Sequence, residues 1–271
     1  SHVIRGEDHI SNTPKQLAIY EALGFKPPKF AHVPLIMDEE GGRMSKRSGA
    51  TAVSDYRKDG FLPEALVNYL MLLGWSPGDN QEVISLETAV KKFSIKKVNK
   101  AAAAFSMDKL KWLNAEYLKK LPEEKLAEFV VPFLKQRGWI GEDYDRKWIL
   151  SIVELYRNRM ADIHEFLERT AYLFQSDFFV SAEMRNKYLN AEQTKCFADL
   201  AVHLEQVQPF SKEEVEKAFR SCVEKNNLKM SDVVHPVRVA LTGSDVGPGL
   251  FETMAVLGKE KTFQRIQAMI A

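Results

Sequence analysis

From Ser54 onward the sequence is punctuated as a series of helices, and this grammar most constrains what the chain can fold into. "FLPEALVNYLMLLGW" puts Pro63 in a first turn, where a missing N–H costs nothing, and Gly74 at the stop. Because it is apolar on nearly every face, it predicts a buried helix. "LPEEKLAEFVVPFLKQRGW" repeats the pattern with Pro122 and Gly138, and Pro132 should kink that helix or end it early. Ser85 can cap "SLETAVKKF", with Leu86, Val90 and Phe93 on one side, while "DKLKWLNAEYL" sets Leu110, Leu113 and Tyr117 in register. "KWILSIVELYRNRMADIHEFLERTAYLF" keeps Arg157, Arg159 and Arg169 on its polar side, and Ser211 to Glu214 reads as a capping box. No repeat of fixed period runs through these helices.

The first fifty residues read differently. A strand-like His2 to Arg5 precedes "NTPKQLAIYEALG", where Thr13 can cap, Pro14 suits the first helical position and Gly24 a left-handed stop. After Pro27 and Pro28, "FAHVPLIM" suits a short buried strand. Strand, helix and strand together predict the end of a doubly wound α/β sheet, followed by a mainly α chain. A chain of 271 residues lies near the length at which single cores divide. Boundaries are expected near Ser54, near Leu121 and Pro122, and around residues 182 to 190, and with no Gly/Ser linker at any of them the modules should be tightly coupled.

Charge and cysteine usage exclude several classes. Lys plus Arg total 38 and Asp plus Glu 37, so no global field selects a partner. Residues 91 to 120 depart from this balance, with nine lysines against Asp108 and Glu116. Lys96, Lys97 and Lys100 suit nucleic-acid phosphates, or equally a solvated helical face. Cys196 and Cys222 stand 26 apart and no histidine pair has a metal spacing, so reduced thiols and no protein-bound zinc are expected. No apolar run reaches about 18 residues and no secretory leader pattern occurs, which predicts a soluble intracellular protein without a membrane partner. "KMSD" at 229 to 232 and "GKE" at 258 to 260 lack the context of phosphate motifs, and Gly258 reads as a helix stop. Trp112, Trp148 and Phe166 are expected in the core.

The stretch that invites chemistry is "EEGGRMSKRSGAT", residues 39 to 51. Gly41 and Gly42 loosen a loop that carries Arg43, Lys46 and Arg47, cations suited to phosphate oxygens as charge develops on them; the alternative is a solvated basic hairpin tip. Arg5 in "RGEDH" emerges at a strand end, where a fork of donors suits a carboxylate, or where it pairs with Glu7 or Asp8.

"RMSKR" at 43 to 47 resembles the second signature of class I aminoacyl-tRNA synthetases, usually written KMSKS. "HVIRGEDHISNTPKQLAIYEALG", "FAHVPLIMDEEGGRMSKR", "VNKAAAAFSMDKLKWLNAEYL" and "HPVRVALTGSDVGPGLFETMAVLGKEKTFQRI" extend the likeness to the glutamyl-tRNA synthetase family, bacterial and plastid type, over nearly the whole chain. The resemblance implies that Lys46 and Arg43 serve catalysis on ATP phosphates, with Met44, Ser45 and Arg47 completing the ATP segment. Arg43 replaces the usual first lysine and Arg47 the closing serine. It further implies that Arg5 holds glutamate, that Asp8 and His9 lie on the nucleotide side, and that Arg238 contacts the anticodon, though an arginine that merely closes a helix or strand would look the same.

The implied architecture is the end of a Rossmann-like catalytic domain (1–53), a helical stem-contact domain (54–121), and two anticodon-binding subdomains (122–185 and 186–271). The first class I signature and the acceptor-end insertion do not occur in this sequence, so the chain is expected to be the C-terminal portion of a synthetase. The implied activity is ATP- and Mg2+-dependent formation of glutamyl-adenylate and transfer to tRNA(Glu), with tRNA(Gln) a second candidate. A monomer in a bacterial cytosol or plastid stroma is the family expectation. Two other classes stand beside it: a tRNA-binding module without ligase activity in isolation, and an unrelated helical scaffold, which leaves the Lys46 loop unexplained.

Overall fold

A parallel strand pair cannot be closed by a tight turn, and the chain meets that requirement with a helix. Strand β1 (His2–Gly6) runs parallel to β2 (Lys29–Val33), Arg5 opposite His32. Between them lie a 3-10 turn over Glu7–Asn12 and α1 (Thr13–Ala22), and Gly24, at φ +68°, ends the crossover as expected. This is a computed structural model, and it describes residues 1–44, 52–175 and 178–270. Thr13 departs from expectation: Asn12 holds the cap position, and Thr13 Oγ1 instead donates to the His9 carbonyl and lies 2.9 Å from His32 Nε2. The single buried strand expected over residues 30 to 37 is likewise corrected. Pro34 cannot continue a ladder, so the segment divides into β2 and β3 (Ile36–Met37), neither fully buried. β3 pairs in parallel with β4 (Ala103–Ala104), far along the chain.

The described residues divide into two units, Ser1–Leu121 with Ala161–His164, and Pro122–Met160 with Glu165–Ala271. The first adds α2 (Val53–Lys58), α3 (Pro63–Gly74), α4 (Leu86–Lys92) and α5 (Met107–Lys120). Tyr56, Phe61, Leu66, Tyr69, Leu73, Phe105, Leu110 and Leu113 form its core. The helix α3 has the expected ends but is not buried all round, because Val67 and Leu70 face outward. Ser85 caps α4 through the Thr88 amide, yet Leu86, Val90 and Phe93 are 60%, 71% and 54% exposed. Its inward residue is Ala89, whose small side chain packs with Trp75 and Ile84. Trp112 is also corrected to the surface: on α5 the buried positions are Leu110, Leu113, Asn114 and Leu118, and Trp112 points away from them.

Two buried asparagines join these helices to segments that have no ladder of their own. Asn114 Oδ1 accepts the Leu62 amide at 2.9 Å, and Asn114 Nδ2 donates to the Ala161 carbonyl at 2.7 Å. Asn68 accepts the Ile84 amide and the Tyr117 hydroxyl and donates to the Glu82 carbonyl. Both are fully buried.

The second unit is all helical: α6 (Glu123–Gln136), α7 (Arg146–Tyr156), most of α8 (Ile163–Phe174), α9 (Ala182–Tyr188), α10 (Ala191–Glu205), α11 (Lys212–Lys225), α12 (Met230–Thr242), α13 (Leu250–Leu257) and α14 (Lys259–Ile270). Helix α6 continues through Pro132 rather than ending there, and the fully buried Val130 and Leu134 beside the proline offset its missing donor. The polar stretch at 182 to 190 contains α9, capped by Ser181 on the Met184 amide. Ser211 caps α11 through the Glu214 amide, while a reciprocal box occurs at Asn190 and Gln193, where none was anticipated. Phe166 is buried and Trp148 partly so, its Nε1 donating to the Val256 carbonyl. Gly258, at φ +86°, closes α13.

Substituting Asn114→Ala removes the partner of the buried Leu62 amide and one bond to the Ala161 carbonyl, and should lower the unfolding free energy by about 1 to 3 kcal/mol; urea titration of the chain checks this. Gly60 has φ +74°, and a Cβ there would lie 2.2 Å from Ile163 Cγ2, so Gly60→Ala should cost more than about 1 kcal/mol in the same assay.

Candidate functional site

Arg5 lies one residue before the end of β1, with its guanidinium turned toward α1. Nη2 donates to Thr13 Oγ1 and Gln16 Oε1, both at 2.7 Å, and the group lies 5.1 Å over the Phe30 ring. Neither Glu7 nor Asp8 is its partner: Glu7 Oε1 accepts the Leu35 amide, and Asp8 turns to Arg43. Arg5 Nε is buried without a partner. The side chain borders an open cavity of about 430 Å³ whose other walls include Val3, Ile19, Leu23 and Phe30, and among the described residues Arg5 supplies the only charge lining it.

The segment before the basic signature is a tightly tied turn. Asp38 Oδ1 accepts the Gly42 amide at 2.6 Å, the Asp38 amide donates to the Gly42 carbonyl, and the Gly41 amide donates to the Asp38 carbonyl. Gly41 sits at φ +84°, which favours glycine, and a Cβ on Gly42 would come within 3.0 Å of the Asp38 carboxylate. Glu39 Oε1 accepts the Met107 amide at the start of α5, and Met44 packs against the core of the first unit. Arg43 Nη2 meets Asp8 Oδ2 at 3.0 Å across 35 residues of sequence. The ion pair is largely exposed and contributes little stability. Its consequence is positional: it brings the first residue of the basic signature to the carboxyl end of β1. His9 lies in the same 3-10 turn as Asp8, its Nδ1 3.4 Å from Asn12 Nδ2. Ser45, Lys46 and Arg47 lie outside the described residues.

The lysine-rich segment is less positive in space than in sequence. Lys92 pairs with Asp79, Lys109 with Glu82, Lys111 with the buried Asp162, and Lys119 with Glu116. Three of those carboxylates come from outside residues 91 to 120. Lys97 Nζ donates to the Pro77 carbonyl. Lys91, Lys96, Lys100 and Lys120 carry no ion pair among the described residues.

In the second unit, Arg238 on α12 is half-buried and donates Nη1 to the Pro248 carbonyl. Burial, then the nearby positive charge of Arg159, pushes its guanidinium below the usual arginine range. A Cβ on Gly247 would lie 3.3 Å from Nη1, so the loop's glycine leaves room for this arginine. Arg159 borders two cavities, of about 780 and 540 Å³. Sequence reasoning missed Asp38, Glu39, Thr13, Gln16 and Arg159 as neighbours of the candidate residues. Only Asp38 left a local signal, an Asx-type residue just before paired glycines.

Residues 1–112 match the family of class I tRNA synthetases (E and Q), catalytic domain, and residues 125–270 match the anticodon binding domain. The chain is 43% identical to the glutamate–tRNA ligase of Thermodesulfovibrio yellowstonii, over all of this chain and 58% of that protein. It is 42% identical to the glutamate–tRNA ligase of Desulforudis audaxviator, over all of this chain and 55% of that one. A crystal structure of a glutamate tRNA ligase from Elizabethkingia meningosepticum, in complex with its amino acid, superposes with a TM-score of 0.88 at 30% identity, covering all of this chain and 57% of that one. The chain thus spans little more than half the length of these relatives.

Asp38→Ala removes a charged acceptor from the Gly42 amide, which should exchange with solvent roughly tenfold faster or more while global stability changes little. Hydrogen exchange read at Gly42, with a distant core amide as control, checks it.

Proposed function

We propose, because the chain belongs to the class I tRNA synthetases for glutamate and glutamine, that it is part of a glutamate–tRNA ligase. That enzyme activates glutamate with ATP to glutamyl-adenylate, releasing pyrophosphate, and then esterifies the 3′ end of tRNA(Glu). The observation that carries the reading is the meeting of Arg43 with Asp8 beside Arg5, since it draws the phosphate-directed signature to the strand end where a carboxylate substrate fits. In this reading Arg5 presents its unpartnered Nε toward glutamate. Arg43 and Lys46 stabilise charge on the triphosphate as the glutamate carboxylate attacks phosphorus, with Met44, Ser45, Arg47, Asp8 and His9 shaping the nucleotide side. Magnesium supplies further neutralisation of the phosphates.

Residues 54–121 then contact the tRNA stem, and 122–185 with 186–271 read the anticodon. Lys96 and Lys100 are the most available phosphate contacts, with Lys97 partly held by the Pro77 carbonyl. Arg159, near Arg238, borders two cavities of mixed charge with room for unstacked bases. The match of residues 125–270 to an anticodon binding domain favours a second reading for the chain by itself, a tRNA-binding module without ligase activity.

Binding of this chain to tRNA(Glu), and to the same tRNA with an altered anticodon, across a salt series tests both readings. Selective, salt-dependent binding is the expected outcome; no binding by a folded sample refutes the assignment of the helical units as tRNA readers. Reversing Lys96, Lys97 and Lys100 to Glu should reduce the slope of log affinity against log salt by about 2 to 3. In a full-length synthetase carrying this sequence, Lys46→Ala should lower the activation rate by about 10²- to 10³-fold and leave tRNA affinity nearly unchanged. Pyrophosphate exchange and filter binding separate the two, and equal losses in both would remove Lys46 from the phosphate role.

A further inference from the structure

Three helices of the second unit finish around one cavity of about 380 Å³, and three cations line it. Arg265 Nη2 donates to the Tyr172 carbonyl at 2.6 Å and Nη1 to the Leu241 carbonyl at 2.5 Å, in the last turns of α8 and α12. Lys261 Nζ donates to the Leu173 carbonyl at 2.8 Å, and Arg185 Nη2 to the Ala268 carbonyl of α14 at 2.8 Å. Each helix C-terminus carries about −0.5 charge, so three supply roughly −1.5 against three full positive charges. No carboxylate lines the cavity among the described residues, and none of the three cations has an ion pair there. Among the described residues a surplus of roughly +1.5 therefore stands in a partly dry space.

Two of these cations are held in a partly desolvated setting. Burial pushes Lys261 down, and repulsion from Arg265 pushes it further; burial lowers Arg265 to about 10. Phe178 lies 3.9 Å beneath the Arg265 guanidinium as one wall. Phe179, at the rim, is 82% exposed, a flat apolar face beside a positive cavity. Cations that leave a surplus near the charge of a phosphate monoester, about −1.5 to −2 at neutral pH, together with a free aromatic face, define one ligand chemistry.

We propose that this cavity binds a nucleoside monophosphate, its phosphate held by Arg185, Lys261 and Arg265 and its base stacked on Phe179. The surplus fits a monoester better than the single charge of an internal RNA phosphodiester. The ligand is a free nucleotide or the 5′-phosphorylated end of an RNA strand. The three cations are not among the residues named for the ligase reaction or for anticodon contact, whereas Phe179 also borders the 540 Å³ cavity; the Arg185 and Lys261 variants therefore read this site separately from that reading.

Calorimetric titration of the chain with AMP, adenosine, inorganic phosphate, and a short single-stranded RNA with and without a 5′-phosphate tests the site. AMP should bind roughly fivefold or more tightly than inorganic phosphate, because base stacking contributes about 1 kcal/mol or more, and adenosine should bind far more weakly. Lys261→Gln and Arg185→Gln keep a donor for the helix carbonyls and should each weaken AMP at least about fivefold, as loss of one charged contact implies. Phe179→Ala, at an exposed position where folding is not at stake, should reduce AMP to the affinity of phosphate and leave phosphate unchanged. Binding of phosphorylated RNA that AMP displaces assigns the strand end as a source, and its absence assigns the free nucleotide. No binding of AMP at millimolar concentration, equal AMP affinity in Phe179→Ala and both Gln variants, or equal binding of RNA without its 5′-phosphate overturns the proposal.

Discussion

The first unit depends on two amide side chains that water cannot reach. Asn68 and Asn114 sit on neighbouring helices α3 and α5 and supply donors and acceptors to backbone that belongs to no ladder. An unpaired backbone group in a dry core costs a substantial fraction of a domain's whole stability. Buried amides whose oxygen and nitrogen are both hydrogen-bonded therefore turn a loose stack of helices into one arrangement of α3, α5 and the connecting segments. Leucine at either position would fill the volume and leave the loops without partners.

That arrangement also determines where the glycine-rich turn stands. β3 is only two residues long, too short to hold itself, yet it is paired to β4, its Glu39 carboxylate caps α5, and Met44 enters the core. The turn before the basic signature is thus built onto the helical part of the unit, while Arg43 reaches back to Asp8 beside the β1–β2 pair. A cation meant for phosphate has to be held where charge develops, and short ties from three directions achieve that without a long rigid element.

Electrostatics in both units runs on local compensation. In the lysine-rich stretch, carboxylates from outside the stretch neutralise Lys92, Lys109 and Lys111, leaving Lys91, Lys96, Lys100 and Lys120 as the available charges. At the far end of the sequence, helix carbonyls rather than carboxylates receive Arg185, Lys261 and Arg265, and partial charges do not cancel whole ones.

The sequence by itself determined the helix ends and the family. Pro63 and Gly74, the Ser85 cap, and the stops at Gly24 and Gly258 are set by backbone preferences within a few residues, and "RMSKR" with its flanking stretches carries the likeness that the family matches bear out. Which faces are buried was less legible. Leu86, Val90, Phe93 and Trp112 look like core in a periodic pattern, but burial depends on what lies opposite, and on α4 the residue buried with Trp75 and Ile84 is Ala89. Tertiary structure alone decided that Arg5 bonds Thr13 and Gln16 instead of its acidic neighbours, that Arg43 finds Asp8, and that three cations share one cavity. Such meetings join residues many positions apart, and no local periodicity or propensity encodes them.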